Sequence, residues 1–339
     1  MEFTGGPIPK VWTPGSLSGS DAIAETAAAK GKSNLYRTSC YFGDRERYRS
    51  FCALYAVLRL VSDRVKAFLA GGDDCSGELC QEFIVVQAWR RVIAAVVAGD
   101  EPVQQDIQQI GIPHLDELLV SFGDATKRFP IPERLWTAFI NAMERDLKHH
   151  RFETFDQVIE YAEGAAVCPT TIYLYLVLAD APDDHGVYRL PPDFDLLPCS
   201  RDFGLFGYLA HTLRDFRQDL ATGKRGHLYI AAEDMARHGV TERTLFGDLV
   251  SGVASAELRA LVRDLVERGR ALAKRGRASL SDVELDLSAD RAFMLRLIVR
   301  SYEAFLDKIV FHSYNVMTDD HRLTEVELES VALEVGTLM

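Results

Sequence analysis

Asp215 and Asp219 stand one helical turn apart in TLRDFRQDL, residues 212–220. At that spacing both carboxylates share one helix face. Asp is a poor helix-interior residue, and two like charges at i and i+4 repel each other. One reading of such a pair is a structural ion pair with Arg214 or Arg217. The other is a divalent-cation site, because hard ions such as Mg²⁺ take carboxylate oxygens, keep several waters and bridge to phosphate. The surrounding residues favour the cation. Gly204, Tyr208 and His211 continue the same stripe at helical steps, while Phe203, Phe206, Leu209, Ala210, Leu213 and Phe216 fill much of the remaining surface. A helix that is apolar on nearly every side is buried, and buried acids, a His and a Tyr require partners.

A second stripe of this kind lies upstream. FCALYAVLRLVSDRVKAFL, residues 51–69, is apolar nearly all round, with Tyr55, Arg59, Ser62, Asp63 and Lys66 along one side. Arg59 and Asp63 have the spacing of an ordinary local ion pair. Arg59 also sits between Leu58 and Leu60, which argues against plain surface placement. Facing each other, the two stripes would line a cavity with acids and a metal on one wall and basic groups on the other. That suits an anionic, phosphorylated ligand with an apolar body. A third element, ATGKRGHLY at 221–229, places Lys224 and Arg225 in a Gly-flanked turn just past Asp219. Alone it reads as a solvated basic turn; beside a metal–phosphate site it reads as a flap over the anion.

The elements that must position these residues are helices. Apolar periodicity predicts helices over 45–70, 80–98, 114–128, 132–148, 154–180, 200–221, 255–276, 288–312 and 322–337, and strand alternation is almost absent. Short Gly/Pro/Asp breaks such as AGGDDCSG, FPIPE and ADAPDDHG suit antiparallel neighbours. The expectation is an all-α bundle of nine to eleven helices: a flexible, Gly/Pro/Ser-rich arm over 1–20, then one domain over 21–339.

Composition narrows the partners. With 339 residues, 47% hydrophobic and 26% charged, the chain is globular. A net charge of −12 argues against nucleic acid and against broad attraction to anionic membranes. The longest apolar runs are too short to span a bilayer, which leaves at most peripheral membrane contact, and the N-terminus has no signal-peptide pattern. The six cysteines, 40, 52, 75, 80, 168 and 199, form no CxxC pair and no zinc spacing, and read as free thiols of a cytoplasmic protein.

The sequence resembles the squalene/phytoene synthase family of head-to-head prenyltransferases from about residue 33 to 325. SNLY is similar to the family's early Ser-x-x-aromatic, at Ser33 and Tyr36. ALYAVLRLVSDRVKAF and LAHTLRDFRQDL resemble its two acidic helices. MERDLKHHRFETFDQVIEYAEG resembles the mid-chain block, with Asp146 and Tyr161 in register. GHLYIAAEDMARHGV, with Tyr229, follows the flap, and SYEAFLDKIVFHSYNVMTDDHRLT resembles the last helix and its exit, with Tyr302 and Arg322 in register. The resemblance implies an isoprenoid-synthase fold with a central cavity between two aspartate-rich helices. Each helix would bind a prenyl diphosphate through Mg²⁺, and diphosphate loss would give an allylic cation captured by the second prenyl group.

The sequence also departs from that pattern. Acids are expected at Ser62 and Lys66, around the retained Asp63; the family's upstream Gln and Asn are replaced by Tyr208 and His211. A Gly-rich stretch is replaced by AAVCPTT, 165–171, where Pro169 should kink its helix. One carboxylate cluster is intact and the other is mostly stripped. Arg64 and Lys66 offer an anion direct contact but cannot hold Mg²⁺.

The expectation drawn from this is a single-donor prenyltransferase. One allylic diphosphate would bind through Mg²⁺ at Asp215 and Asp219, with Arg214, Lys224 and Arg59 neutralising charge. The acceptor would be an aromatic or other electron-rich small molecule, and Asp63 or His211 would take the released proton. The resemblance extends the binding set to Ser33, Tyr36, Ser62, Lys66, Tyr229, Tyr302 and Arg322. Two alternatives stand beside it: head-to-head condensation of two prenyl diphosphates, and a non-catalytic assembly or binding protein that keeps the fold.

Overall fold

A computed structural model of the chain describes residues 10–31, 33–71, 80–148, 151–192, 194–222, 229–318 and 321–337, the side chain of residue 222 excepted. Among them there are fifteen α-helices and one π turn, with a single isolated bridge between Phe152 and Ala231 in place of any strand. In chain order the helices are α1 Ser20–Ala29, α2 Asn34–Ser39, α3 Arg45–Gly71, α4 Gln81–Ala98 and α5 Gln104–Ile110. They continue with α6 Leu115–Arg128, α7 Glu133–Lys148, α8 Phe155–Ala162, α9 Cys168–Leu178 and α10 Leu196–Thr222. The last five are α11 Ala232–Arg237, α12 Glu242–Ser251, α13 Ala256–Leu285, α14 Ala289–Phe311 and α15 Glu325–Thr337.

The two helices with polar stripes are the long central ones. Asp44 starts α3 by accepting from the Glu46 N–H at 2.8 Å, which satisfies one of the donors a helix start leaves unpaired. Tyr48, Phe51, Cys52, Leu54 and Val57 bury the next turns. Further along, α10 lies in the middle of the bundle against α13, α9, α14 and the π turn. Arg47 of α3 is buried and donates to the carbonyls of Leu176, Ala179 and Asp180, so it caps the end of α9.

The run predicted as one helix over 154–180 is broken. Glu163–Val167 form a π turn in which the Cys168 N–H reaches the Glu163 carbonyl. Pro169 follows at the start of α9 and cannot supply an N–H to the regular ladder. Backbone contact also fixes the turn's place. A Cβ on Gly164 would lie 2.2 Å from the Ala138 carbonyl of α7, and one on Gly204 of α10 would lie 2.4 Å from the Val167 Cα. Two glycines thus let α7, the π turn and α10 pack backbone to backbone.

Other boundaries differ less. The last long helix pair begins as expected, but α13 runs on to Leu285. The short helices α1, α2, α5, α11 and α12 were not expected. Part of the predicted arm is docked: the Trp12 indole donates to the Phe42 carbonyl at 2.7 Å and stacks on Tyr48 with centroids 5.1 Å apart. Four cysteines, Cys40, Cys52, Cys168 and Cys199, are free and buried. Cys80 corrects the expectation of six free thiols, because it is disulfide-bonded. No helix among the described residues is long and apolar enough to cross a membrane.

Candidate active site

The polar stripes of α3 and α10 face one cavity of about 1090 Å³. From α3 it receives Tyr55, Arg59, Ser62, Asp63 and Lys66; from α10 it receives Tyr208, His211, Arg214, Asp215 and Asp219. Ser33, Tyr229, Tyr302 and Arg322 also line it, as do Asp146 and Tyr161. Its apolar part is made by Leu58, Leu69, Phe139, Met143, Ala165 and Phe305.

On the α10 side the two acids differ. Asp215 is held by its chain neighbour: Arg214 Nε donates to it at 2.8 Å, a second Arg214 nitrogen reaches its other oxygen, and Arg322 lies 3.3 Å away. Burial pushes the Asp215 carboxyl up, but the Arg214 guanidinium overrides it and holds the group well below the usual carboxylate range. The structural ion pair of the sequence reading therefore exists, for Asp215. Asp219 has no hydrogen bond or ion pair among the described residues. Burial raises its carboxyl to about 6, opposed by the charge of Lys66 across the cavity. His211 is kept neutral, mainly by burial and then by Arg214. Its Nε2 lies 2.9 Å from the Tyr302 hydroxyl.

The α3 side is different. Arg59 closes on Asp63 at 2.8 Å, so the one retained acid is already paired by its own helix. Ser62 turns its hydroxyl back to the Arg59 carbonyl. Lys66 is exposed in the cavity. Arg64, expected to add positive charge there, turns away to Glu82 at 2.6 Å and to the Ile110 carbonyl. Ser33 caps α2 by accepting from the Tyr36 N–H, and the Tyr55 hydroxyl donates to the same oxygen at 2.8 Å.

Tyr36 does not line the cavity. It is a buried residue of α2, and its hydroxyl lies 3.3 Å from that of Tyr48, which in turn donates to Glu25. Lys224 and Arg225 lie outside the described residues. Asp146 and Tyr161, in register in the mid-chain block, meet at the cavity. Asp146, 5% exposed, accepts from the Tyr161 hydroxyl at 2.7 Å, and burial raises its carboxyl to about 7. Tyr161 stacks on Tyr229, and the Tyr208 hydroxyl donates to the Tyr229 carbonyl. These three rings close the cavity beside the α10 acids.

The donor set can be tested against Mg²⁺. No group of three or more His, Cys, Asp or Glu among the described residues is placed to hold a metal by itself. Mg²⁺ does not need one, since one or two carboxylates plus substrate phosphates and water complete its octahedron. Asp219, unpaired, with an oxygen of Asp215 one turn away, fits. On the α3 wall the only carboxylate is taken by Arg59 and the next position is an ammonium, so that wall does not fit.

The sequence profile described as squalene/phytoene synthase matches residues 28–328. The chain belongs to the squalene/phytoene synthase family. Among relatives, it is 25% identical over 224 residues to a phytoene synthase from Arthrospira platensis, covering 63% of this chain and 66% of that protein. It is 24% identical over 233 residues to a 15-cis-phytoene synthase from Synechocystis sp., covering 67% of this chain and 60% of the relative. The match thus spans about two thirds or less of the length of these curated relatives. In fold it is similar to a dehydrosqualene synthase crystallised with a ligand, with a TM-score of 0.72, 18% identity and coverage of 94% of this chain and 96% of that one. The all-α isoprenoid-synthase architecture expected from sequence is therefore the one observed.

Proposed function

We propose that this chain is a Mg²⁺-dependent prenyltransferase that joins two prenyl diphosphates head to head. The observation that carries this reading is the single cavity into which both polar stripes open above an apolar floor. Its volume, about 1090 Å³, is just above the range for a single small-molecule ligand. The names of the relatives favour two diphosphate substrates over the single donor and aromatic acceptor expected from the stripped α3 stripe.

In this reading Asp219, with an oxygen of Asp215, would hold Mg²⁺ at the first diphosphate site. Bound there, the metal would neutralise the leaving diphosphate and favour cleavage of the allylic C–O bond. Arg214 and Arg322 keep Asp215 oriented and draw the anion in. Lys66 and Arg59 offer the second diphosphate a basic wall. The prenyl tails lie along Phe139, Met143 and Leu58. Tyr55, Tyr302 and Phe305 line the same cavity, and aromatic rings there would stabilise an allylic cation without trapping it. The same reading places the enzyme in the cytoplasm, meeting its apolar substrates in solution or at a membrane surface.

One observation favours the second reading, a single donor with an aromatic acceptor. The pairing of Asp63 with Arg59 leaves α3 no carboxylate for a second metal–diphosphate complex. Asp63 or neutral His211 would then accept the ring proton. Incubation with a labelled allylic diphosphate and Mg²⁺ separates the two. A C30 or C40 hydrocarbon, or its cyclopropyl diphosphate precursor, supports condensation. Diphosphate release only when an aromatic acceptor is added replaces it with the second reading. No turnover under either condition would return the chain to a binding role.

A further inference from the structure

Five cationic side chains among the described residues line the cavity: Arg37, Arg59, Lys66, Arg214 and Arg322. Four are engaged. Arg37 donates to the carbonyls of Leu323 and Thr324 at 2.8 and 2.9 Å. Arg59 is paired with Asp63, Arg214 with Asp215, and Arg322 with Asp215 and Gln218. Only Lys66 has no hydrogen bond or ion pair among the described residues. It is exposed in the cavity and held on α3, a long helix with much of its length buried.

The groups facing it are on two other helices. Its charge acts on Asp146 of α7 and on His211, Asp215 and Asp219 of α10. Its own helix adds no free carboxylate to cancel it, since Asp63 is on Arg59. An ammonium has three donors and no acceptor, so it cannot ligate a metal and repels one placed beside it. It does bind phosphate oxygens as a compact point charge.

We propose that Lys66 is the built-in cation of the α3 wall: its ammonium contacts the diphosphate directly and stands where a divalent ion would otherwise bridge that wall to the anion, so metal ions enter the site only on the α10 side. This rests on the reading of the cavity as a diphosphate site. It has two consequences. Part of the diphosphate affinity is independent of metal, and the number of metal ions bound per diphosphate is set by Asp215 and Asp219 alone.

The test uses the full chain, inorganic pyrophosphate as the anion and Mn²⁺ as a countable metal. Pyrophosphate binding is measured by calorimetry in EDTA, and bound Mn²⁺ per pyrophosphate by electron paramagnetic resonance. Lys66→Gln should weaken metal-free binding about tenfold or more, the worth of one charge-assisted hydrogen bond, and Lys66→Arg should restore most of it. Lys66→Glu should add about one Mn²⁺ per pyrophosphate, because a carboxylate now stands beside the anion. Lys66 is exposed, so the variants should keep the wild-type circular dichroism and melting temperature. Equal metal-free affinity in the wild type and Lys66→Gln, or an equal Mn²⁺ count in the wild type and Lys66→Glu, overturns the proposal and leaves the diphosphate reading standing. Wild-type protein that binds no pyrophosphate with Mn²⁺ present overturns both.

Discussion

On α10, Asp219 opens into the cavity with no partner among the described residues, whereas on α3 the one acid left, Asp63, is closed 2.8 Å from Arg59. Both helices are long, both are apolar over most of their surface, and both turn one polar stripe to the same space. Backbone geometry is therefore shared, and charge placement distinguishes the walls. An acid at i and a base four residues away satisfy each other within one helix and leave little for a ligand. On α10 Asp215 is taken by the arginine beside it, Arg214, while Asp219 one turn on finds no base among the described residues and stays open to a cation. A retained carboxylate serves a metal to the extent that its neighbours leave it free: Asp219 is open, Asp215 shares its oxygens with Arg214, and Asp63 is closed by Arg59 of its own helix.

The most direct way to break this comparison is to remove one acid from each wall. Asp219→Ala should lower Mg²⁺-dependent pyrophosphate affinity by about 100-fold or more, since a lost metal ligand is worth several kcal/mol and each 1.4 kcal/mol is tenfold. Asp63→Ala should change it less than about threefold, because the partner it loses is Arg59 rather than the metal. Calorimetric titration of both variants at saturating Mg²⁺ gives the two numbers. Similar losses for both would mean that the walls are equivalent and that the Arg59 pair opens on binding.

How much of this was legible in the sequence follows the same division. The stripes were readable because each is a polar line on an otherwise apolar helix, and periodicity is a property of one element. For the same reason α3, α4, α6, α7 and α14 start and stop close to their expected positions. Contacts between elements were not readable. Arg64 follows Asp63 directly, yet its partner Glu82 belongs to α4, and nothing in the local pattern points there. Tyr36 sits three residues past Ser33, but Ser33 is the cap of α2, so the helix carries Tyr36 toward Tyr48 and Glu25 instead of the cavity. Pro169 announced a break in 154–180, while the π turn that precedes it depends on Gly164 meeting the Ala138 carbonyl of α7. Helices of six or seven residues, such as α2, α5 and α11, are too short to show a period at all.

The two α10 acids also differ in where they titrate. Burial raises the Asp219 carboxyl to about 6, while Arg214 holds that of Asp215 far lower. Metal binding needs the ionised form. Mg²⁺-dependent pyrophosphate affinity should therefore be constant above about pH 7 and fall as pH drops through 6, approaching tenfold per unit once Asp219 is protonated. Metal-free binding measured in EDTA over the same interval is the control. A metal-dependent affinity that stays flat down to pH 4.5 would show that Asp219 does not carry the metal.

The smallest effect concerns stability and the acid that belongs to neither wall. Asp146 on α7 is 5% exposed and accepts a hydrogen bond from Tyr161. Burial raises its carboxyl from 3.8 to about 7. The sign follows from proton uptake. Between those values the unfolded chain has released its proton and the folded chain has not, so the folded state binds more protons and unfolding free energy falls as pH rises. Above about 7 the folded protein carries a buried carboxylate at full cost. Asp146→Asn keeps the shape and an oxygen for Tyr161 while removing that charge. The variant should melt a few degrees above the wild type at pH 8, and the gap should close as pH falls toward 4, read by scanning calorimetry at constant ionic strength. A variant that melts lower than the wild type by the same amount at every pH would mean that Asp146 is fully paired at neutral pH and that the α7 acid, like Asp63, has already been neutralised by its neighbours.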